Sequence, residues 1–185
     1  MTLMIEREVK LRFDSPEQAR AAILATGATP LRCRRLQEDA LLDTEDESLR
    51  RRQCALRIRT ESGKSLLTYK GPVQPGAMKM RDELETVIGD GEVLQNVFEE
   101  LGLHVWFRCE KYREEYAAED VTIALDETPV GTFVEIEGGE QGILMMTEAL
   151  GRSAKDFILD SYRALFVTHR RDFGLAGEHM VFRDE

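Results

Sequence analysis

Most of the chain alternates apolar and polar residues with period two, the pattern of strands buried on one face. Residues 5–12 alternate well, apart from Arg7. Residues 55–60 and 65–70 alternate too, and Glu61-Ser62-Gly63-Lys64 between them predicts a hairpin. Further strands are expected over residues 36–43, 78–88, 106–117, 121–126 and 132–137. Helical spacing interrupts this pattern. Ser15-Pro16-Glu17-Gln18 offers an N-cap, a proline at N1 and a glutamine at N3, and Gly27 is placed to end the helix over residues 19–25. Residues 92–101 put Val93, Leu94, Val97, Phe98 and Leu101 on one helical face before Gly102. Two more helices are predicted over 140–150 and 154–170, separated by Gly151-Arg152-Ser153. No repeat or linker divides the chain. Residues 1–173 are expected to form a single α+β domain on a largely antiparallel sheet, and residues 174–185 a loosely held tail.

The polar half of the alternation carries the chemistry. Residues i, i+2 and i+4 of a strand share a face. Glu6, Glu8, Lys10 and Arg12 share one in the first strand, and Ile5, Val9 and Leu11 the other. Arg57 and Arg59 lie opposite Leu56 and Ile58, and Thr68 and Lys70 opposite Leu67 and Tyr69. Arg81, Glu83 and Glu85 share a face, as do Lys111 and Arg113, and Glu135 and Glu137. Asp126 is in the polar phase of its strand. Any one such strand is ordinary, because polar side chains of half-exposed strands meet water. Together they are unusual: formal charge dominates nearly every polar face. Alternation alone leaves open which face is inside. Closed inward, the faces would form a channel in which Arg and Lys neutralise a phosphate chain. Carboxylates repel phosphate, but they can hold a divalent cation that phosphate oxygens accept.

Composition narrows the classes. The 185 residues include 35 acidic and 25 basic ones, for a net charge of −10. This argues against a nucleic-acid partner such as DNA, and taken alone against any polyanion. The three cysteines, Cys33, Cys54 and Cys109, form no CxxC pair, and the three histidines share no metal-ligand spacing. The N-terminal residues lack the regions of a signal peptide, and no apolar run approaches a membrane span. A cytoplasmic location without membrane association is therefore expected. Gly63-Lys64-Ser65 resembles the end of a P-loop, but Ile58 stands where the first glycine belongs, so it reads as a turn.

Glu6-Arg7-Glu8-Val9-Lys10 resembles the ExExK signature of the CYTH family, the triphosphate tunnel metalloenzymes. The likeness continues in order through Leu56-Arg57-Ile58-Arg59, Thr68-Tyr69-Lys70, Arg81-Asp82-Glu83-Leu84-Glu85, Lys111-Tyr112-Arg113, Leu125-Asp126, Phe133-Val134-Glu135-Ile136-Glu137 and Ser161-Tyr162. The ordered set is far more specific than ExExK alone. The resemblance implies a closed eight-stranded antiparallel β-barrel, a tunnel with its charged faces inward and helices packed outside. It implies metal-dependent hydrolysis of a triphosphate substrate, inorganic or thiamine triphosphate. The alternative is a class IV adenylate cyclase that converts ATP to cyclic AMP and pyrophosphate. A third reading is a non-catalytic polyphosphate-binding module.

By the same resemblance Glu6, Glu8, Glu83, Glu85, Asp126, Glu135 and Glu137 would hold one or two Mg²⁺ or Mn²⁺ ions, with Glu6, Glu8 and Glu137 as the catalytic set. Lys10, Arg57, Arg59, Lys70, Arg81, Lys111 and Arg113 would grip the triphosphate. Two departures stand out. Leu41-Leu42-Asp43 replaces the Tyr-Phe-Asp common in the family, which weighs against ring stacking there, and Arg7 falls on the outer face. Trp106 and Phe107 read as core, and Tyr162 as either structural or at the tunnel mouth. A homodimer is compatible with the sequence but has no motif behind it.

Overall fold

The computed structural model describes residues 4–182. Eight antiparallel strands close into a barrel: β1 (Met4–Phe13), β2 (Thr29–Thr44), β3 (Ala55–Glu61), β4 (Lys64–Lys70), β5 (Lys79–Ile88), β6 (Leu103–Ala118), β7 (Val121–Thr128) and β8 (Gly131–Gly138). Their order around the barrel is β1-β5-β4-β3-β2-β6-β7-β8. β1 closes it, pairing Glu6 with Arg81 on one side and Lys10 with Glu135 on the other. Closure leaves no open sheet edge. The β3–β4 hairpin turns at Ser62 and Gly63, both at positive φ, which matches the turn expected there.

The helices are α1 (Pro16–Ala25), α2 (Ser48–Arg51), α3 (Gly91–Glu100), α4 (Glu140–Ala149) and α5 (Tyr162–His169). Ser15 caps α1 as its sequence predicts, accepting from the Gln18 N–H at 3.2 Å. The apolar halves of β1, β7 and β8 pack beneath α1 and α4, joining Val9, Leu11, Ile123, Leu125, Val134 and Ile136 to Ile23 and Ile143. With their apolar residues committed to that outer core, β1 and β8 turn Glu6, Glu8, Lys10, Glu135 and Glu137 into the barrel. This settles the question that alternation left open.

Several elements differ from expectation. β2 runs for 16 residues, well beyond the predicted 36–43, because bulges near Pro30, Arg32 and Leu41 disrupt its alternation. The helix predicted over 154–170 is broken. A single 3₁₀ turn (Ala154–Asp156) is followed by an extended stretch in which Ile158 bridges to Lys10, and α5 starts only after the Ser161 cap. Helix α3 rests on the barrel through half-buried Leu94 and Phe98, while Val93, Val97 and Leu101 stay exposed. Part of the tail is docked on the barrel. Met180 is fully buried against Phe107, Cys109, Phe133 and Phe166, and its N–H and C=O bond to the backbone of Arg108 and Glu110. Residues 183–185 lie outside the described residues.

Candidate functional site: a charged tunnel

The barrel encloses a cavity of about 1150 Å³. All seven predicted phosphate-gripping cations line it: Lys10, Arg57, Arg59, Lys70, Arg81, Lys111 and Arg113. Of the predicted metal ligands, Glu6, Glu8, Glu83, Glu85, Glu135 and Glu137 line it as well. Asp126 sits just behind the lining, fully buried. Ten acidic and eleven basic side chains line the cavity, so the surplus behind the chain's −10 lies elsewhere.

The charges fall into three groups. In the first, Asp126 accepts from Lys111 Nζ at 3.0 Å, from Arg113 Nε at 2.6 Å and from the Tyr162 hydroxyl at 2.6 Å. Glu135 pairs with Lys10 at 2.9 Å and with Arg113. The Lys10 and Lys111 ammoniums lie 4.6 and 4.8 Å from the centre of the Tyr162 ring, which places Tyr162 firmly in the tunnel. Burial alone would raise both acids, but Arg113 with Lys111 and Lys10 with Arg113 hold Asp126 and Glu135 below the carboxylate range.

The second group centres on Asp39, which the sequence reading passed over. Arg59 donates to both its oxygens, at 2.6 and 2.8 Å, and Arg57 lies 3.6 Å away. Against burial, Arg59 and Arg57 keep this acid well below its ordinary value. Arg57 also donates to Thr68 at 3.1 Å, and Thr68 donates to Glu85 at 2.8 Å.

The third group is short of positive charge. Lys70 reaches Glu6 at 2.5 Å and Glu83 at 3.1 Å, and Lys79, also missed in sequence, reaches Glu8 at 2.5 Å. Burial, with Glu8 and Glu83 adding to it against Lys70, pushes Glu6 up to about 7. Burial and the Glu8 charge also raise Glu137. The Oε2 atom of Glu6 is buried with no hydrogen-bond partner among the described residues. So are the Nε donors of Arg57 and Arg81. An unanswered carboxylate oxygen and unanswered guanidinium N–H groups in the lining of one cavity suit a cation and an anion bound together.

Hard carboxylate oxygens in excess of nearby positive charge fit a divalent cation such as Mg²⁺ or Mn²⁺. The residues do not yet converge, however. Among the described residues no three His, Cys, Asp or Glu side chains stand in metal-holding geometry. Lys70 and Lys79 hold Glu6 and Glu8 instead.

Other residues singled out in sequence take structural places. Asp43 caps α2, accepting from the Leu49 and Arg50 N–H groups at 2.9 and 3.1 Å. Arg7 on the outer face contacts the Met80 sulfur at 3.3 Å. Phe107 is core, as expected, and Trp106 packs beside it while also lining the cavity. Cys109, between the Asp39 and Lys111 groups, is buried, and burial pushes its thiol up to about 12.

The comparisons agree with this geometry. The CYTH domain pattern matches residues 4–156. A protein of Methanocaldococcus jannaschii, named "putative adenylate cyclase", is 33% identical over 135 residues, 72% of this chain and 77% of that one. A solved structure from Pyrococcus horikoshii, the PH1012 protein, is 27% identical with a TM-score of 0.74, covering 86% of this chain and 98% of that one. A Hippeastrum structure has a TM-score of 0.66 at 20% identity, covers 89% of this chain and 95% of that one, and is described as a "putative adenylyl cyclase" that reveals a dominant triphosphatase activity. The fold and its charged bore define a triphosphate-tunnel enzyme. The chain belongs to the CYTH domain family, whose members are metal-dependent.

Proposed function

We propose that this protein hydrolyses a small triphosphate inside the tunnel, with a divalent cation. The observation that carries the reading is the pairing of open donors with an open acceptor: the Nε groups of Arg57 and Arg81 and the Oε2 of Glu6, all buried and without partners among the described residues. Arg57, Arg59, Arg81, Lys111 and Arg113 would bind and orient the phosphate oxygens, and Lys10 and Lys70 would add charge. Glu6, Glu8 and Glu137, with Glu83, would hold Mg²⁺ or Mn²⁺. Bound there, the cation would supply charge neutralisation for oxygens that the carboxylates repel. Glu85, Asp126 and Glu135 would act mainly by fixing the positions of Arg57, Lys111, Arg113 and Lys10.

In the reaction a water oxygen forms a bond to the terminal phosphorus while the bond from that phosphorus to the bridging oxygen breaks. Orthophosphate and the shortened chain leave, and one water proton passes to solvent or phosphate. Positioning and preorganised charge supply most of the acceleration, so the tunnel needs no histidine base.

The second reading is a class IV adenylate cyclase, favoured by the name of the M. jannaschii relative. There the ribose 3′-hydroxyl attacks the α-phosphorus and pyrophosphate leaves. Incubation with Mg²⁺ or Mn²⁺ and, separately, tripolyphosphate, thiamine triphosphate and ATP distinguishes the two. Orthophosphate from the first two supports hydrolysis, cyclic AMP with pyrophosphate supports cyclisation, and binding without turnover leaves only a binding module.

A further inference from the structure

The lining carries ten acids and eleven bases, and within it Glu8 is held by an existing ion pair, so a cation that uses Glu8 must displace that pair. The pair is Lys79–Glu8. In the barrel register Glu8 stands between Lys79 of β5 and Glu137 of β8. The Lys79 ammonium contacts the buried Glu8 carboxylate at 2.5 Å, whereas Glu137 makes no hydrogen bond or ion pair among the described residues and shares the surplus of negative charge. Lys70, by contrast, is shared between Glu6 and Glu83. Lys79 is also the first residue of β5, where the chain enters the strand from residues 71–78.

We propose that Lys79 is the built-in counter-cation of the metal-free tunnel, occupying Glu8 until a divalent cation takes its place, and then turning to the incoming phosphate chain. The inference rests on the metal reading above. It makes metal and triphosphate mutually supportive: the cation displaces an ammonium, and the displaced ammonium gains a phosphate partner. In its free state the protein keeps Glu8 paired and so holds metal weakly without substrate. The arrangement couples the two ligands through one side chain.

The test is calorimetric or paramagnetic titration of Mn²⁺ into metal-free protein, with and without tripolyphosphate, at 4 °C to limit turnover. Lys79→Met should bind Mn²⁺ about tenfold more tightly than the wild type without tripolyphosphate, because a charge-assisted contact no longer has to break. Tripolyphosphate should tighten Mn²⁺ binding in the wild type and do so less in the variant. In a Glu8→Gln background, Lys79→Met should leave Mn²⁺ affinity unchanged, and circular dichroism checks that each variant is folded. Equal or weaker Mn²⁺ binding by folded Lys79→Met overturns the inference while sparing the metal reading. Mn²⁺ binding by neither protein, with or without tripolyphosphate, overturns both.

Discussion

Asp39 holds two arginines that a triphosphate would need, so Asp39→Asn should cost stability and favour the anion. Arg59 donates to both carboxylate oxygens, Arg57 lies 3.6 Å away, and Asp39 is buried. Removing one member of a buried ion pair typically costs about 3–5 kcal/mol, because the remaining charge loses its counterion. The asparagine carbonyl can still accept from Arg59, which returns about 1 kcal/mol. The net loss is then about 2–4 kcal/mol, or a fall in Tm of roughly 5–15 °C for a domain of this size. In metal-free buffer, tripolyphosphate should raise the Tm of Asp39→Asn by more than that of the wild type, since in the wild type it must first displace the carboxylate. Differential scanning fluorimetry across a tripolyphosphate series measures both effects. A variant with unchanged Tm and the same shift as wild type would refute the reasoning, and Arg57 and Arg59 would then not face the ligand.

Glu137→Gln should fold normally and lose most triphosphatase activity, measured as orthophosphate release, because it removes an unpaired carboxylate from the proposed cation site; full activity would remove Glu137 from that site. Glu61 is pushed down to about 2 by Gln37, Arg32 and Arg35 despite its burial, from an ordinary value of 4.5. Its contribution to stability is therefore present above about pH 4.5 and lost as the pH falls toward about 2, so Glu61→Gln should flatten that acid limb in urea unfolding curves. Met180→Ala should lose about 2–5 kcal/mol, as expected for a truncated core side chain; chemical denaturation that shows no loss would mean that the tail is not docked on β6.

Eight strands were legible because most keep one apolar and one polar face, and the hairpin because Gly63 suits the positive φ that its turn requires. What alternation could not supply was the inside of the barrel. That depends on α1 and α4 covering Val9, Ile123, Val134 and their neighbours, a long-range fact. Asp39 escaped notice because Ala40-Leu41-Leu42 and the bulge at Leu41 obscure the phase of β2. Lys79 was findable, since it falls inside the strand expected over 78–88 and shares a phase with Arg81, Glu83 and Glu85. The break near Ile158 was signalled by Ser161, a second capping residue inside an apolar stretch that otherwise suits one long helix. The docked tail had no local signal: its polar composition hides Met180, whose burial depends on Phe107, Phe133 and Phe166 from distant elements. The net charge misled in the same way, because the lining is nearly balanced while the acidic surplus lies outside it.

The central claim is that cation and triphosphate bind together inside the barrel. A crystal structure of Glu137→Asp with Mn²⁺ and tripolyphosphate, with Mn²⁺ located by anomalous scattering, tests it most directly. Mn²⁺ should lie against Glu6 and Glu8 and the phosphate chain against Arg57, Arg59, Lys111 and Arg113. Phosphate bound outside the barrel, or Mn²⁺ away from Glu6 and Glu8, would contradict it.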